Sequence, residues 1–250
     1  GFTDFDNEGA LVEGYDRAST LATIYNHPYY IDHYERLGFE KEADWVEYLI
    51  KVPDVFPEKF IRMAEIVKQK FNLRPVKLVS KKDTVKRYGQ KIFDLLNEAY
   101  KDLFGFARLT DEQIQFYIKL YFSFFRLDTV VLVENDEGDL IALGIAMPSF
   151  TKALQKAKGK LFPSGWYHML KAIKKNDLLD LYLIAVHPDY QNKGANAILF
   201  AEMMPVAAKN GYHYAESNPE LETNTKVTAH WDYFEHEIHK RRRVYIKEIK

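Results

Sequence analysis

The hydrophobic positions follow a helical period between residues 57 and 125 and a strand period in much of the remaining chain. After Pro57, apolar side chains recur every three or four positions until Pro75, which prevents a helix from continuing: Phe60, Met63, Ala64, Val67 and Phe71. A second amphipathic helix is predicted over residues 85–103. Thr110 begins a third, because Gln113 three residues later completes a capping box.

From residue 129 the period changes to two. Residues 129–134 and 140–147 flank Asn135-Asp136-Glu137-Gly138, a turn sequence, so a β-hairpin is predicted. A basic, helical insertion is expected over residues 150–176. The rest of the pattern predicts a strand at 178–186, a helix at 196–209, a strand at 212–216, a helix at 222–234 and a strand at 243–249. This order predicts an α/β (α+β) fold, in which helices flank a mixed, mainly antiparallel twisted sheet.

The composition narrows the class of protein. The 250 residues are 47% hydrophobic and 28% charged, which is ordinary for a globular chain. The absence of cysteine excludes a disulfide framework and a thiolate nucleophile. The formal net charge of -1 provides no field that would attract nucleic acid. Because the chain has neither an apolar run of about 18 residues nor a signal-peptide start, we expect a cytoplasmic location and no membrane partner.

Residues 240–243 form a run of four basic residues. Lys240-Arg241-Arg242-Arg243 precedes the apolar residues Val244-Tyr245-Ile246, so its side chains should alternate between two faces of a strand. Two interpretations are open: a solvated edge strand protected by its charges, or a surface that attracts an anionic ligand.

The most specific motif lies between a predicted strand and a predicted helix. Residues 186–196 read Val-His-Pro-Asp-Tyr-Gln-Asn-Lys-Gly-Ala-Asn. This segment resembles the GCN5-related N-acetyltransferase superfamily, whose members carry V-x-P-x-Y-[QR]-x-x-G-x-[GA] at this junction. Successive backbone N–H groups and a helix N-terminus form an anion site that suits a pyrophosphate. The resemblance therefore implies that the loop binds acetyl-CoA or another acyl-CoA.

The resemblance also assigns the cofactor residues one by one. The pyrophosphate loop corresponds to Gln191, Asn192, Lys193, Gly194, Ala195 and Asn196. The preceding strand, whose backbone bonds the pantetheine arm in the family, corresponds to Ile184, Ala185 and Val186. This sequence has Asn196 where the family usually has Gly or Ala, and Asn192 where many members have Gly. A sterically closed, vestigial loop is the alternative interpretation.

The family mechanism is direct attack of an amine on the thioester. Glu216 is the candidate base, with Asn218 on the same side of the strand, and a paired surface carboxylate is the alternative for Glu216. Trp231 fills the position of the family's tyrosine acid, and Tyr233, two residues on, is the remaining candidate although a helix would turn it elsewhere. Otherwise another group protonates the thiolate, or the domain binds coenzyme A without fast chemistry.

The histidines do not form a recognisable ligand set. His187, His230, His236 and His239 include no His-Glu-x-x-His pattern, so no metal is predicted.

Residues 1–52 resemble the C-terminal half of a first copy of the same fold. Tyr34-Glu35-Arg36-Leu37-Gly38-Phe39, with Asn26 upstream, matches the family's helix-to-strand segment, and residues 45–50 would be its last strand. This implies a tandem protein with an incomplete N-terminal copy: a half unit at 1–52, a connecting helix at 53–75 and a complete domain at 76–250. Tyr34 then either completes a shared site or packs between the copies.

The leading hypothesis is an acyl-CoA-dependent N-acyltransferase, most simply an N-acetyltransferase, acting on a small-molecule or peptidic amine. The alternative is a catalytically inactive module that binds coenzyme A or acts as a scaffold. Aminoacyl or fatty-acyl transfer is a third hypothesis, in which residues 150–176 cover a larger acceptor as a lid.

Overall fold

The structure, a computed structural model, describes residues 9–121, 125–228 and 230–249. Its helices are α1 Tyr29–Arg36, α2 Glu58–Phe71, α3 Lys81–Ala99, α4 Asp111–Tyr121, α5 Thr151–Ala157, α6 Gly165–Lys174, α7 Ala195–Lys209 and α8 Thr225–Thr228. Its strands are β1 Ala10–Glu13, β2 Glu40–Lys51, β3 Arg74–Pro75, β4 Val130–Glu134, β5 Leu140–Pro148, β6 Leu178–Val186, β7 Tyr214–Ser217, β8 Glu220–Leu221 and β9 His236–Ile246.

All nine strands of the described residues belong to one sheet. Their order is β1-β9-β2-β7-β6-β5-β4-β3, and β8 pairs with β2. Strands β6 and β7 are parallel, and the other pairs are antiparallel. The predicted fold class, a mixed and mainly antiparallel sheet flanked by helices, is therefore confirmed.

Two apolar layers pack on the sheet. Helices α2 and α7 cover one face through side chains such as Phe60, Val67 and Met203. Helices α3 and α4 cover the other face through side chains such as Ile92 and Ile114. The predicted capping box at the start of α4 is present: the Gln113 N–H donates to Thr110 Oγ1 (3.3 Å), and the Thr110 N–H donates to Gln113 Oε1 (2.9 Å).

The last part of the chain differs from the prediction. In place of a helix at 222–234, the structure has strand β8, the four-residue helix α8 and a short 3-10 helix, Trp231–Tyr233. Trp231 and Phe234 pack on Phe200 of α7 instead of lining one helical face. The final strand begins seven residues earlier than predicted, at His236, because β9 pairs with almost the whole of β2.

The basic run lies in the interior, so the interpretation as a solvated edge strand is wrong. Strand β9 lies between β1 and β2, and both Lys240 and Arg242 are buried. Arg242 Nε donates to Glu47 Oε1 (2.6 Å), and Lys240 Nζ lies 2.6 Å from Glu47 Oε2 and 2.5 Å from Glu216 Oε1. Burying these cations is tolerable because β2 and β7 supply the opposite charges.

The division into three parts at residues 52 and 75 stays a prediction. In the structure, strand β2 of the first part lies inside the sheet that the third part forms, between β9 and β7. Tyr34 stacks on Tyr245 with ring centroids 4.9 Å apart, so α1 packs against the end of β9.

Candidate active site

The site begins where two parallel strands separate. Leu178 to Leu181 of β6 pair with Tyr214 to Ser217 of β7. Beyond this pairing, Asn218 makes the last links to β6: its N–H donates to the Leu181 carbonyl (3.2 Å) and its Nδ2 donates to the Tyr182 carbonyl (2.9 Å). The chain then enters β8, which pairs with β2 instead of β6. A gap in the sheet results between β6 and β8.

A cavity of about 420 Å³ fills this gap. Its walls are mostly apolar and come from both faces of the sheet: Ile92 and Phe93 from the α3 side, Leu199 and Met203 from the α7 side. The segment at residues 21–24 and Trp45 of β2 complete one wall. A cavity of this size, apolar with a few polar groups, is typical of a small-molecule or cofactor site.

Glu220 brings a carboxyl group to this cavity. Val46 of β2 pairs with it, and Trp231 Nε1 donates to Glu220 Oε2 (2.9 Å). Burial raises the pKa of Glu220 to about 8, although hydrogen bonds from Trp231 and Ser217 oppose the shift. A carboxyl group with this pKa exchanges a proton near neutral pH, as a general base requires.

The backbone edge of β6 along the gap is the predicted pantetheine strand. Three of its carbonyl groups accept hydrogen bonds from side chains: Tyr182 from Asn218, Ile184 from the Tyr100 hydroxyl (2.7 Å) and Val186 from Gln191 Nε2 (3.2 Å). The other edge of Ile184, Ala185 and Val186 pairs with β5. Because the N–H and carbonyl of one residue in a strand point to the same edge, the N–H groups of Ile184 and Val186 also face the gap.

The predicted pyrophosphate loop lies between β6 and α7. Asn192 (φ 61°) and Gly194 (φ 85°) have left-handed backbone conformations, and α7 begins at Ala195. The first N–H groups of a helix have no intrahelical acceptor, so those of Ala195 and Asn196 are donors for an anion. The Lys193 ammonium lies 5.1 Å from the centre of the Tyr190 ring. Asn196 Nδ2 lies 2.5 Å from His230 Nε2, so the Asn196 side chain is directed toward His230. The sequence suggested that this side chain would close the loop, and its direction toward His230 argues against that.

The three predicted catalytic residues lie in different surroundings. Asn218 lines the cavity. Glu216 is buried against Lys240; burial would raise its pKa, but the nearby His239 and Lys240 outweigh this effect and lower it. Tyr233 is 51% exposed, and the Lys59 ammonium lies 5.4 Å from the centre of its ring. Neither Glu216 nor Tyr233 is among the residues that line the cavity.

Sequence reasoning missed Glu220 and Tyr100. The signal for Glu220 was weak, since β7 ends at Ser217 and Glu220 begins a different strand, β8, so alternation along one strand does not relate it to Asn218. No sequence pattern near Tyr100 indicated its role, because the residue that it contacts, Ile184, lies 84 positions further along the chain.

Glu47, Glu216 and His239 offer ligand atoms within 4.8 Å of one another, all buried. The Lys240 ammonium pairs with both carboxylates and Arg242 pairs with Glu47, so two cations of the chain compensate the two negative charges. The expectation of no metal ligand stays a prediction.

Comparison with known proteins identifies the fold. No family model matches the chain. Protein YghO of Escherichia coli (strain K12) is 23% identical over 255 residues, covering 96% of this chain and 62% of that protein. Bacterial ceramide synthase of Caulobacter vibrioides (strain NA1000 / CB15N) is 25% identical over 229 residues, covering 88% and 58%. The chain thus spans about three fifths of the length of both relatives.

Among solved structures, a GCN5-related N-acetyltransferase from Sphaerobacter thermophilus aligns with a TM-score of 0.54 at 10% identity, covering 92% of this chain and 58% of that one. The chain therefore has the GCN5-related N-acetyltransferase fold, as its loop motif implied. Across the described residues, no helix is both long and apolar enough to cross a lipid bilayer.

Proposed function

We propose that the chain is a transferase, an acyl-CoA-dependent N-acyltransferase in which an amine attacks the thioester directly. The observation that carries the proposal is the gap between β6 and β8, which opens on an apolar cavity containing the Glu220 carboxyl group. The gap lies at the end of β6 that leads into the glycine-containing loop. Acyl transfer from coenzyme A to an amine requires three features close together: a strand edge that binds the pantetheine arm, a loop that binds the pyrophosphate, and a base.

The residues present suit coenzyme A. The loop offers helix N-terminal donors, a glycine without a side chain at the point of closest approach, and the cation of Lys193. Acetyl-CoA or another acyl-CoA would supply the activated acyl group when bound. The Ile184 carbonyl already accepts the Tyr100 hydroxyl, so the strand edge would offer the pantetheine chiefly its N–H groups.

Within the cavity, each candidate group has a distinct task. Glu220 accepts the proton that the amine loses, and its raised pKa matches this transfer near pH 8. Trp231 holds the carboxyl group in place through Nε1. Tyr100 places a hydroxyl on the strand edge, where a departing thiolate could take a proton.

The apolar walls favour an acyl chain longer than acetyl. Trp45, Leu199 and Met203 line the cavity, and burying each CH₂ group contributes about 0.8 kcal/mol to binding. One relative is named a bacterial ceramide synthase, which supports including long-chain acyl-CoA and long-chain amines among the substrates tested.

The second candidate is an inactive coenzyme A-binding or scaffolding module. The observation that favours it is the occupied strand edge, where side chains satisfy the carbonyls of Tyr182, Ile184 and Val186. The presence of Trp231 at the position of the family's tyrosine also favours an inactive module.

The experiment is a thiol-release assay with acetyl-CoA and palmitoyl-CoA against a panel of small, peptidic and long-chain amines, with the amide product identified by mass spectrometry. Because the chain has no cysteine, a thiol reagent reports free coenzyme A without background from the protein. We expect turnover with at least one pair, a rate that rises with pH through about 8, and a fall of at least tenfold in Glu220→Gln.

Glu222→Gln is the matched control, since Glu222 lies two residues further on, is exposed and pairs with Arg241 outside the cavity. It should retain the rate. Calorimetric binding of coenzyme A without turnover of any pair would favour the inactive coenzyme A-binding module. Absence of binding would exclude the N-acyltransferase and leave only a scaffolding role.

A further inference from the structure

The insertion between β5 and β6 is strongly basic. Residues 150–176 contain seven lysines and no acidic residue, whereas the whole chain has a formal net charge of -1. The structure folds this segment into the helical hairpin α5–α6, and all seven lysines are exposed. The hairpin therefore concentrates positive charge on one part of an otherwise acidic surface.

Large apolar side chains are exposed on the same hairpin. Their exposed fractions are 56% for Leu161, 74% for Phe162, 47% for Trp166, 54% for Tyr167 and 51% for Leu170. We call these five residues the hairpin tip. They are neighbours: the Trp166 N–H donates to the Leu161 carbonyl (2.9 Å), and the Trp166 and Tyr167 rings lie 6.2 Å apart. Leu170 follows Trp166 by one helical turn, on the same face.

Specific contacts hold the hairpin to the rest of the fold and leave its tip exposed. A Cβ at Gly165 would lie 1.9 Å from the Lys160 carbonyl oxygen, so the glycine allows α6 to begin directly against the end of α5. At the base, Asn176 Nδ2 donates to the Ser149 carbonyl (2.6 Å) and Lys152 pairs with Asp177 (2.7 Å). The tip contributes no residue to the cavity, so the proposed reaction does not account for its exposure.

The two features together define the chemistry of the partner. The boundary between lipid headgroups and acyl chains favours apolar and aromatic side chains that lie next to lysines. The rings and leucines insert among the acyl chains, and the lysine ammonium groups remain in water. Anionic headgroups attract each lysine near the surface. We infer that the hairpin tip docks this protein on the surface of an anionic lipid bilayer. The expectation of no membrane partner rested on the absence of a spanning segment and a signal start, and neither is needed for surface docking.

Vesicle flotation tests the inference with the whole chain. We expect it to float with vesicles of phosphatidylcholine containing phosphatidylglycerol, to float at least tenfold less with phosphatidylcholine alone, and to dissociate as salt rises. In Lys160→Glu/Phe162→Ser, binding should fall at least tenfold. The matched control is Val79→Ser/Lys82→Glu, because Val79 is also 74% exposed, Lys82 is exposed, and both lie outside the hairpin. It should bind within twofold of the unaltered chain.

Fluorescence gives a second readout. Of the three tryptophans, Trp45 and Trp231 are buried (6% and 2% exposed), so a blue shift on adding anionic vesicles reports Trp166. The shift should disappear in Trp166→Phe. Absence of binding to anionic vesicles, or equal loss in both double variants with circular dichroism unchanged, would overturn the inference.

Discussion

Asp180 of β6 is a buried acid whose negative charge is poorly compensated. Neither of its carboxyl oxygens has a hydrogen-bond partner among the described residues, and Glu216 lies nearby. Burial, reinforced by the charge of Glu216, raises the pKa of Asp180 from 3.8 to about 7, although the Ser149 side chain and the charge of Lys240 oppose the shift. Between these two values the folded chain binds a proton that the unfolded chain does not. The free energy of unfolding therefore falls as pH rises through this range, and the loss is complete above about pH 7.

We predict that Asp180→Asn stabilises the protein at pH 8, by an amount on the order of 2 kcal/mol, because it removes the uncompensated charge. The gain should be smaller at pH 5, where the native aspartic acid is already protonated. Urea unfolding at both pH values measures this difference. Asp177→Asn is the control: Asp177 is exposed and its pKa is lowered by Lys152, so it should give no gain at pH 8. Equal gains for Asp180→Asn at pH 5 and pH 8 would contradict the argument.

At the scale of elements, the start of α7 is where backbone geometry and proposed function coincide. Gly194 has φ 85°, and a Cβ there would lie 3.0 Å from Val67 Cγ2 of α2. The left-handed backbone conformation and the close packing of α2 therefore both favour glycine at position 194. The family resemblance implies a third reason, the close approach of a phosphate. Any side chain at this position will have a structural effect that must be separated from its effect on binding.

We predict that Gly194→Glu binds coenzyme A more weakly than Gly194→Ala by about 2 kcal/mol, measured by calorimetric titration of folded protein. Both variants share the backbone strain and the contact with Val67, so their difference isolates the negative charge at the anion site. Equal affinities would argue against pyrophosphate binding at this loop. Asn196→Gly is a less informative change, because it also removes the contact with His230.

The elements that the sequence predicted correctly are those with local signals. The β4–β5 hairpin forms around Asn135, whose Oδ1 accepts the Asp139 N–H (2.8 Å), and Gly138 has φ 83° as the turn requires. The parts that were not predicted depend on distant residues. Arg242 is buried only because Glu47, 195 positions earlier, pairs with it, and no pattern within β9 contains that information. The same limit applies to the cavity, whose walls come from segments far apart along the chain.

At the scale of the whole molecule, residues 9–51 hold the sheet together. Strand β2 separates β9 from β7 and also pairs with β8, so it forms one wall of the gap that opens on the cavity. Backbone carbonyls of the preceding segment bind the same buried cations: Ala18 accepts Lys240 (3.3 Å) and Ile24 accepts Arg242 (2.8 Å). Without these residues, β7 and β8 would lose their pairing with β2, and β9 would lose its pairing with β1 and β2. The buried Arg242 would lose Glu47, and Lys240 would keep only Glu216 as an ion-pair partner among the described residues.

We therefore predict that residues 53–250 expressed alone will not unfold cooperatively, and that residues 1–52 alone will not either. The control is a chain with a protease site at Asp54-Val55, an exposed segment between β2 and α2. Once cleaved, it should keep both pieces associated through gel filtration and retain a cooperative thermal transition, because the strand pairing and ion pairs need no peptide bond at that point. Deletion and cleavage thus differ only in whether residues 1–52, which include β1 and β2, are present. A cooperative transition for residues 53–250 alone, near the midpoint of the full chain, would mean that the sheet does not depend on β2.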